Sequence, residues 1–88
     1  MDITQQQYMI ALAETGSITK AAGRLGVSQP AISNWLKGIE KQLDTQLIIR
    51  SKRGLTLTPA GEIYLEASRR MVETRDRVYH DIGRLTGG

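Results

Sequence analysis

The sequence contains no cysteine and no phenylalanine, and only two prolines, one tryptophan and one histidine among 88 residues. Without cysteine there is no disulfide, no thiolate metal site and no cysteine nucleophile. No apolar run approaches the roughly 20 residues that a membrane-spanning helix needs. The start, Met1-Asp-Ile-Thr, has neither the basic region nor the apolar stretch of a secretory signal. A soluble cytoplasmic protein with no membrane partner is the expectation. The single histidine, His80, has Asp76 four residues before it and Asp81 beside it, and on a helix only Asp76 shares its face. That reads as a surface pair, not as a catalytic or metal site. Gly23 and Gly26 do not build a phosphate loop. An enzyme is therefore the least supported class, with no cofactor and no metal expected.

What is present is enough for one small domain and a short appendage. Hydrophobic residues make up 40% and charged residues 24%, a balance that favours folding over disorder. The net charge of +3 is modest, but it is unevenly placed. Residues 20 to 53 hold seven basic groups (Lys20, Arg24, Lys37, Lys41, Arg50, Lys52 and Arg53) against the two acids Glu40 and Asp44. Residues 58 to 88 hold five of each sign, which cancel. Positive charge concentrated in one segment suits the neutralisation of phosphates.

Along the chain, Thr4 is a candidate cap for a first helix running to about Glu14, with Thr15-Gly16 as its end. Its apolar residues, Tyr8 to Ala13, form a broad stripe suited to packing on more than one side. Ser17 can cap a second helix in which Ile18, Ala21, Ala22 and Leu25 follow the spacing of one helical face. Gly26 then supplies a left-handed turn. Ser28 can cap a third helix with Pro30 in its first turn, where the missing amide has no intrahelical partner to lose. Ile32, Leu36, Ile39 and Leu43 form its inward stripe, while Gln29, Pro30, Ser33, Asn34, Lys37 and Lys41 lie opposite. Short polar groups come first and lysines follow, which suits insertion into a groove with cations reaching the flanking phosphates. Trp35, on the flank of the inward stripe, reads as a packing residue rather than a stacking platform for bases.

Leu47–Arg50 and Leu55–Leu57 read as two short strands joined by Ser51-Lys-Arg-Gly54. Such a hairpin would place Lys52 or Arg53 against phosphate or in a minor groove. Thr58 can cap a fourth helix with Pro59 at its first position and Glu62 near its positive end, continuing to about Leu85. Tyr64, Met71, Val78 and Leu85 recur every seven residues, with the small residues Ala60, Ala67 and Thr74 between them. This is a short helix-pairing seam, interrupted by Asp81 with Ile82 beside it. Gly87-Gly88 resembles a linker.

The string Ser17-Ile-Thr-Lys-Ala-Ala-Gly-Arg-Leu-Gly-Val-Ser-Gln-Pro-Ala-Ile-Ser33 resembles the DNA-binding domain of LysR-type transcriptional regulators. So do Ile39-Glu40, Leu43, Leu47, Arg50, Arg53-Gly54 and Leu57-Thr-Pro-Ala-Gly61, and the likeness covers nearly the whole chain. The resemblance implies a mainly α fold: a winged helix-turn-helix of three helices and a two-stranded wing, followed by a long linker helix that dimerises. It implies a bacterial activator or repressor bound to an interrupted inverted repeat near a promoter. It also implies an effector-binding domain, which these 88 residues lack, so that a small-molecule inducer would need a part outside this sequence. By position, Gln29, Pro30 and Ser33 would face base edges, Ser28 would touch phosphate and Arg53 would serve the wing. Asn34 stands where the family often has a basic residue, Asp44 where glycine is usual and Ile48 where phenylalanine is usual. Trp35 and Gly38 are also less typical, and a mid-helix glycine costs about 1 kcal/mol relative to alanine.

The resulting expectation is a DNA-binding domain over residues 1–58 and a dimerisation helix over 59–86. Helix 28–43 would read the major groove with Gln29, Pro30, Ala31, Ser33 and Asn34. Ser28, Lys37, Lys52 and Arg53 would meet the backbone, with wing 47–57 at the minor groove. Tyr64, Ala67, Met71, Thr74, Val78 and Leu85 would pair the two copies. The alternative is a winged helix that binds protein through the same third-helix surface. Weak, salt-insensitive association with DNA would distinguish it.

Overall fold

The computed structural model describes residues 2–87; Met1, and Gly88 of the linker-like end, lie outside them. Four helices and one hairpin follow in order: α1 Ile3–Thr15, α2 Ile18–Leu25, α3 Gln29–Leu43, β1 Ile48–Ser51, β2 Gly54–Leu57 and α4 Pro59–Leu85. The first boundary differs from expectation. Asp2, not Thr4, caps α1, its carboxylate accepting from the Gln5 amide at 2.8 Å. A charged acceptor at the positive end of a helix explains the earlier start. Ser17, Ser28 and Thr58 cap α2, α3 and α4, each accepting through its hydroxyl from the amide three residues on. Gly16 and Gly26 close α1 and α2 in the left-handed region.

The core forms where α1 crosses the other elements. Met9, Leu12, Ala21, Ile32 and Leu47 are almost wholly buried, with Ala11, Ala22, Ile48, Tyr64 and Leu65 around them. The small alanines of α2 let α1 and α3 each pack closely against it. On α3, Ile32 is fully buried and Leu36 and Ile39 half-buried, but Leu43 is 46% exposed. The inward stripe therefore stops one turn early, because residues 41–46 all lie at the surface. The helix ends at Asp44, a non-glycine residue in the left-handed region at φ 54°, whose amide donates to the Glu40 and Lys41 carbonyls.

The strands pair antiparallel with Ile48 opposite Leu57 and Ser51 opposite Gly54. β1 thus begins one residue later than the sequence suggested. The Leu47 amide donates instead to the Glu40 carboxylate at 2.7 Å, and its carbonyl accepts from the Thr58 amide at 3.0 Å. The hairpin is held to the helices at its far end too: Leu55 N donates to Gly16 O at 3.1 Å. A side chain at Gly54 (φ 108°) would crowd that same oxygen. At Gly61 a Cβ would overlap the Leu47 carbonyl, so α4 can lie against β1 only through glycine.

The first turns of α4 pack into the domain through Gly61, Tyr64, Leu65 and Ser68. Beyond Arg75 the helix is solvent-exposed apart from the partly covered Gly83. It projects from the domain, and the molecule measures 49 × 25 × 21 Å. Among the described residues no helix is long and apolar enough to cross a membrane.

Candidate nucleic-acid interface

The third helix presents the surface first. Extended backbone at Ser28 leads into α3, and the Ser28 hydroxyl accepts from the Ala31 amide at 3.2 Å. The hydroxyl proton remains free to donate outward. Gln29, Pro30, Asn34, Lys37 and Lys41 are exposed, whereas Ala31 and Ser33 are half-buried at the edges of that face. An uncommitted amide can make two parallel hydrogen bonds to a base edge. Gln29 and Asn34 both keep their amides out of any hydrogen bond with the described residues, whereas Gln6 spends its amide in the core.

The wing is ordered by its own side chains. Ser51 and Gly54 pair across the hairpin and leave a two-residue loop, Lys52-Arg53. The Ser51 hydroxyl accepts from the Arg53 amide at 3.2 Å and donates to the Gly54 carbonyl at 3.1 Å. That turn holds both cationic side chains outward at the tip, fully at the surface.

Between the hairpin and the helices lies a cleft lined by Ser17, Thr19, Gln29, Ser33, Arg50 and Ser51. It joins the amino ends of α2 and α3, where free amides and the helix dipoles favour anions. Lys37 lines an adjoining groove with Ser33, Glu40 and Arg50. The structure thus brings Gln29, Ser33 and Lys37 toward one groove system beside the wing, while Lys52 and Arg53 stand apart at its tip. Arg50 and Thr19 were missing from the expected contact set. The signal for Arg50 was there: strand alternation places it on the same face as Ile48, toward α3. Two members of the charged segment do other work. Arg24 is paired with Glu14 of α1, and Glu40 holds β1 to α3 through the amides of Leu47 and Ile48. The free positive charge therefore lies at Lys20, Lys37, Lys41, Arg50, Lys52 and Arg53, all exposed and in no ion pair among the described residues.

The expected pairing seam divides in two. Tyr64 lies in the domain's own core, 8% exposed, its ring edge-on to Trp35 and its hydroxyl accepting from Gln6. It belongs to the fold rather than to a free surface, because the first turns of α4 are needed to cover α1. Ala67 is half-buried at the margin. Met71, Thr74, Val78 and Leu85 are exposed, and Ile82 joins them at 54% exposure despite Asp81. Among the described residues no three of His, Asp and Glu gather in a metal-binding group.

A helix with a free polar face, a two-residue cationic wing beside it and a long projecting helix define a winged helix-turn-helix of the nucleic-acid-binding class. Residues 3–62 match the bacterial regulatory helix-turn-helix proteins of the lysR family, and the chain belongs to that family. It is 44% identical over 77 residues to the HTH-type transcriptional regulator TcbR of Pseudomonas sp. (strain P51), covering 88% of this chain and 26% of that protein. Its fold superposes on the crystal structure of a CbnR_DBD-DNA complex with a TM-score of 0.82 at 41% identity, covering 100% of both chains. A BenM_DBD/catB site 1 DNA complex gives 0.88 at 28% identity, over 100% of this chain and 99% of that one. The chain spans less than a third of the length of the curated relatives it matches.

Proposed function

We propose that this domain binds double-stranded DNA sequence-specifically as a two-fold dimer on an interrupted inverted repeat near a promoter, acting as the DNA-reading part of a bacterial transcriptional regulator. One observation carries the reading: the exposed polar face of α3 begins at an outward-facing cap and shares a cleft with Arg50 and the wing. The likeness of the whole chain to domains solved in complexes with DNA supports it.

In this mode α3 enters the major groove. Gln29 pairs its amide with an adenine edge or donates to guanine, Pro30 and Ala31 meet thymine methyls, and Ser33 and Asn34 reach neighbouring bases. Ser28 donates its free hydroxyl proton to a phosphate. Lys37 and Arg50 flank the groove, and Lys52 and Arg53 set the wing against the backbone and minor groove. Two copies pair along the projecting half of α4 through Ala67, Met71, Thr74, Val78 and Leu85, joined by Ile82. The work belongs in the cytoplasm, on the nucleoid. A small-molecule inducer would act through an effector-binding domain.

Selection of bound duplexes from a random DNA pool, with the stoichiometry measured on the enriched sequence, tests the reading. Enrichment of an inverted repeat bound by two chains is expected. A folded protein that enriches nothing would overturn base reading and favour the protein-interaction alternative.

A further inference from the structure

Two groups of side chains tie the reading helix and α1 to α4, and neither touches the proposed DNA surface. The first is aromatic. Trp35 of α3 stands edge-on to Tyr8 of α1, with ring centroids 5.8 Å apart, and to Tyr64 of α4 at 6.1 Å. The Trp35 Nε1 is buried with no hydrogen-bond partner among the described residues. The indole therefore contributes through its volume and its edges. The second group is polar and fully buried. The Ser68 hydroxyl donates to Gln6 Oε1 at 2.6 Å and also lies 2.9 Å from the Tyr64 carbonyl, while Gln6 Nε2 donates to the Tyr64 hydroxyl at 3.5 Å. Sliding α4 along α1 by one residue would strand an amide and a hydroxyl in an apolar core, so one register is enforced.

We propose that Trp35, Tyr64 and the Gln6–Ser68 pair are positioning residues that fix the angle between the reading helix and α4, and so set the half-site spacing that a dimer accepts. This rests on the dimeric reading above. The lever is long. From Tyr64 to the middle of the exposed seam near Val78 is 14 residues, or about 21 Å at a rise of 1.5 Å each. A rotation of about 10° at Tyr64 shifts the middle of the seam by about 4 Å relative to its own head, close to the 3.4 Å step between base pairs. Aromatic edges and a buried amide have directional contacts to lose on such a rotation, which an aliphatic joint would not.

The test uses the 88-residue chain and the half-site enriched by random selection, arranged as inverted repeats whose spacers differ by single base pairs. Wild type, Trp35→Leu and the double variant Gln6→Met/Ser68→Ala are titrated against this series and against one isolated half-site. Cooperative thermal unfolding confirms that each variant is folded, and the double variant decides if Trp35→Leu is not. Wild type is expected to favour one spacing by about tenfold over its neighbours. In the variants that preference should flatten to about threefold or less, with affinity for the isolated half-site within about twofold. A general structural loss would lower both together. Folded variants that keep the wild-type spacing preference overturn the inference and leave the dimeric reading standing. A wild type indifferent to spacing overturns the dimeric reading itself.

Discussion

Gln29 and Arg53 are expected to contribute to binding through different physical terms, and substitution separates them. Gln29 carries a free amide at the exposed start of α3, so its contribution depends on which base it faces. Gln29→Ala should cost about 1–3 kcal/mol and relax preference at one base pair. Competition between the selected site and random DNA checks this, and an equal loss on both would remove the base-reading role. Arg53 is held at the wing tip by the Ser51 turn and has no acidic partner among the described residues. Arg53→Ala should weaken binding to all sequences alike and lower the slope of log affinity against log salt by about one. A slope unchanged from wild type would show that Arg53 makes no phosphate contact. Asn34, exposed on the following turn about 140° round the helix from Gln29, would offer a second amide at the other edge of the proposed reading face.

Each element shows how far local chemistry reaches. The caps at Ser17, Ser28 and Thr58, the turn at Gly26 and the wing loop were legible in the sequence, because each depends on residues within a few positions of one another. What was not legible depended on tertiary contacts. Tyr64 fits a seven-residue repeat, but the repeat does not say where the domain stops covering α4; the burial of Gly61, Leu65 and Ser68 does. Leu47 continues the apolar run of the first strand, yet its amide is taken by the Glu40 carboxylate from another element. Asp2 caps α1 in place of Thr4 because its carboxylate is a charged acceptor at the positive end of the helix, one that a search for the nearest hydroxyl passes over. Gly61 is the sharpest such contact. It sits in a helix, where alanine would ordinarily be preferred, but the Leu47 carbonyl occupies the space of a Cβ. Gly61→Ala should therefore destabilise the domain by about 2 kcal/mol or more, opposite to the usual helix preference. In a domain of this size that lowers the melting temperature by roughly 10 °C or more, measurable by circular dichroism. A melting temperature equal to or above wild type would show that β1 and α4 can move apart at no cost.

At the scale of the molecule, the 49 Å long axis separates a folded head, which carries the exposed face of α3 and the wing, from a projecting helix with an apolar stripe. On the proposed reading, a single head would meet one half-site through one short helix and a handful of cations, and would bind it weakly. Joining two heads makes the second binding event intramolecular, which can raise overall affinity by about 10²–10⁴ without any new contact to DNA. The stripe is where that gain should be sensitive. Val78 and Ile82 are 46% and 54% exposed and lie beyond the part of α4 that covers the core. Charging them should leave the head folded while opposing pairing, since carboxylates would be buried between two helices. Val78→Glu combined with Ile82→Glu is thus expected to keep the melting temperature and the isolated half-site affinity within error of wild type. Its advantage on the two-site duplex should fall to nearly nothing. Gel-shift titration on one-site and two-site duplexes reads the ratio directly, and sedimentation reads the free chain. If the double variant kept the wild-type ratio, the two heads would have to be joined elsewhere, and the apolar stripe of α4 would lose its role as the dimer seam.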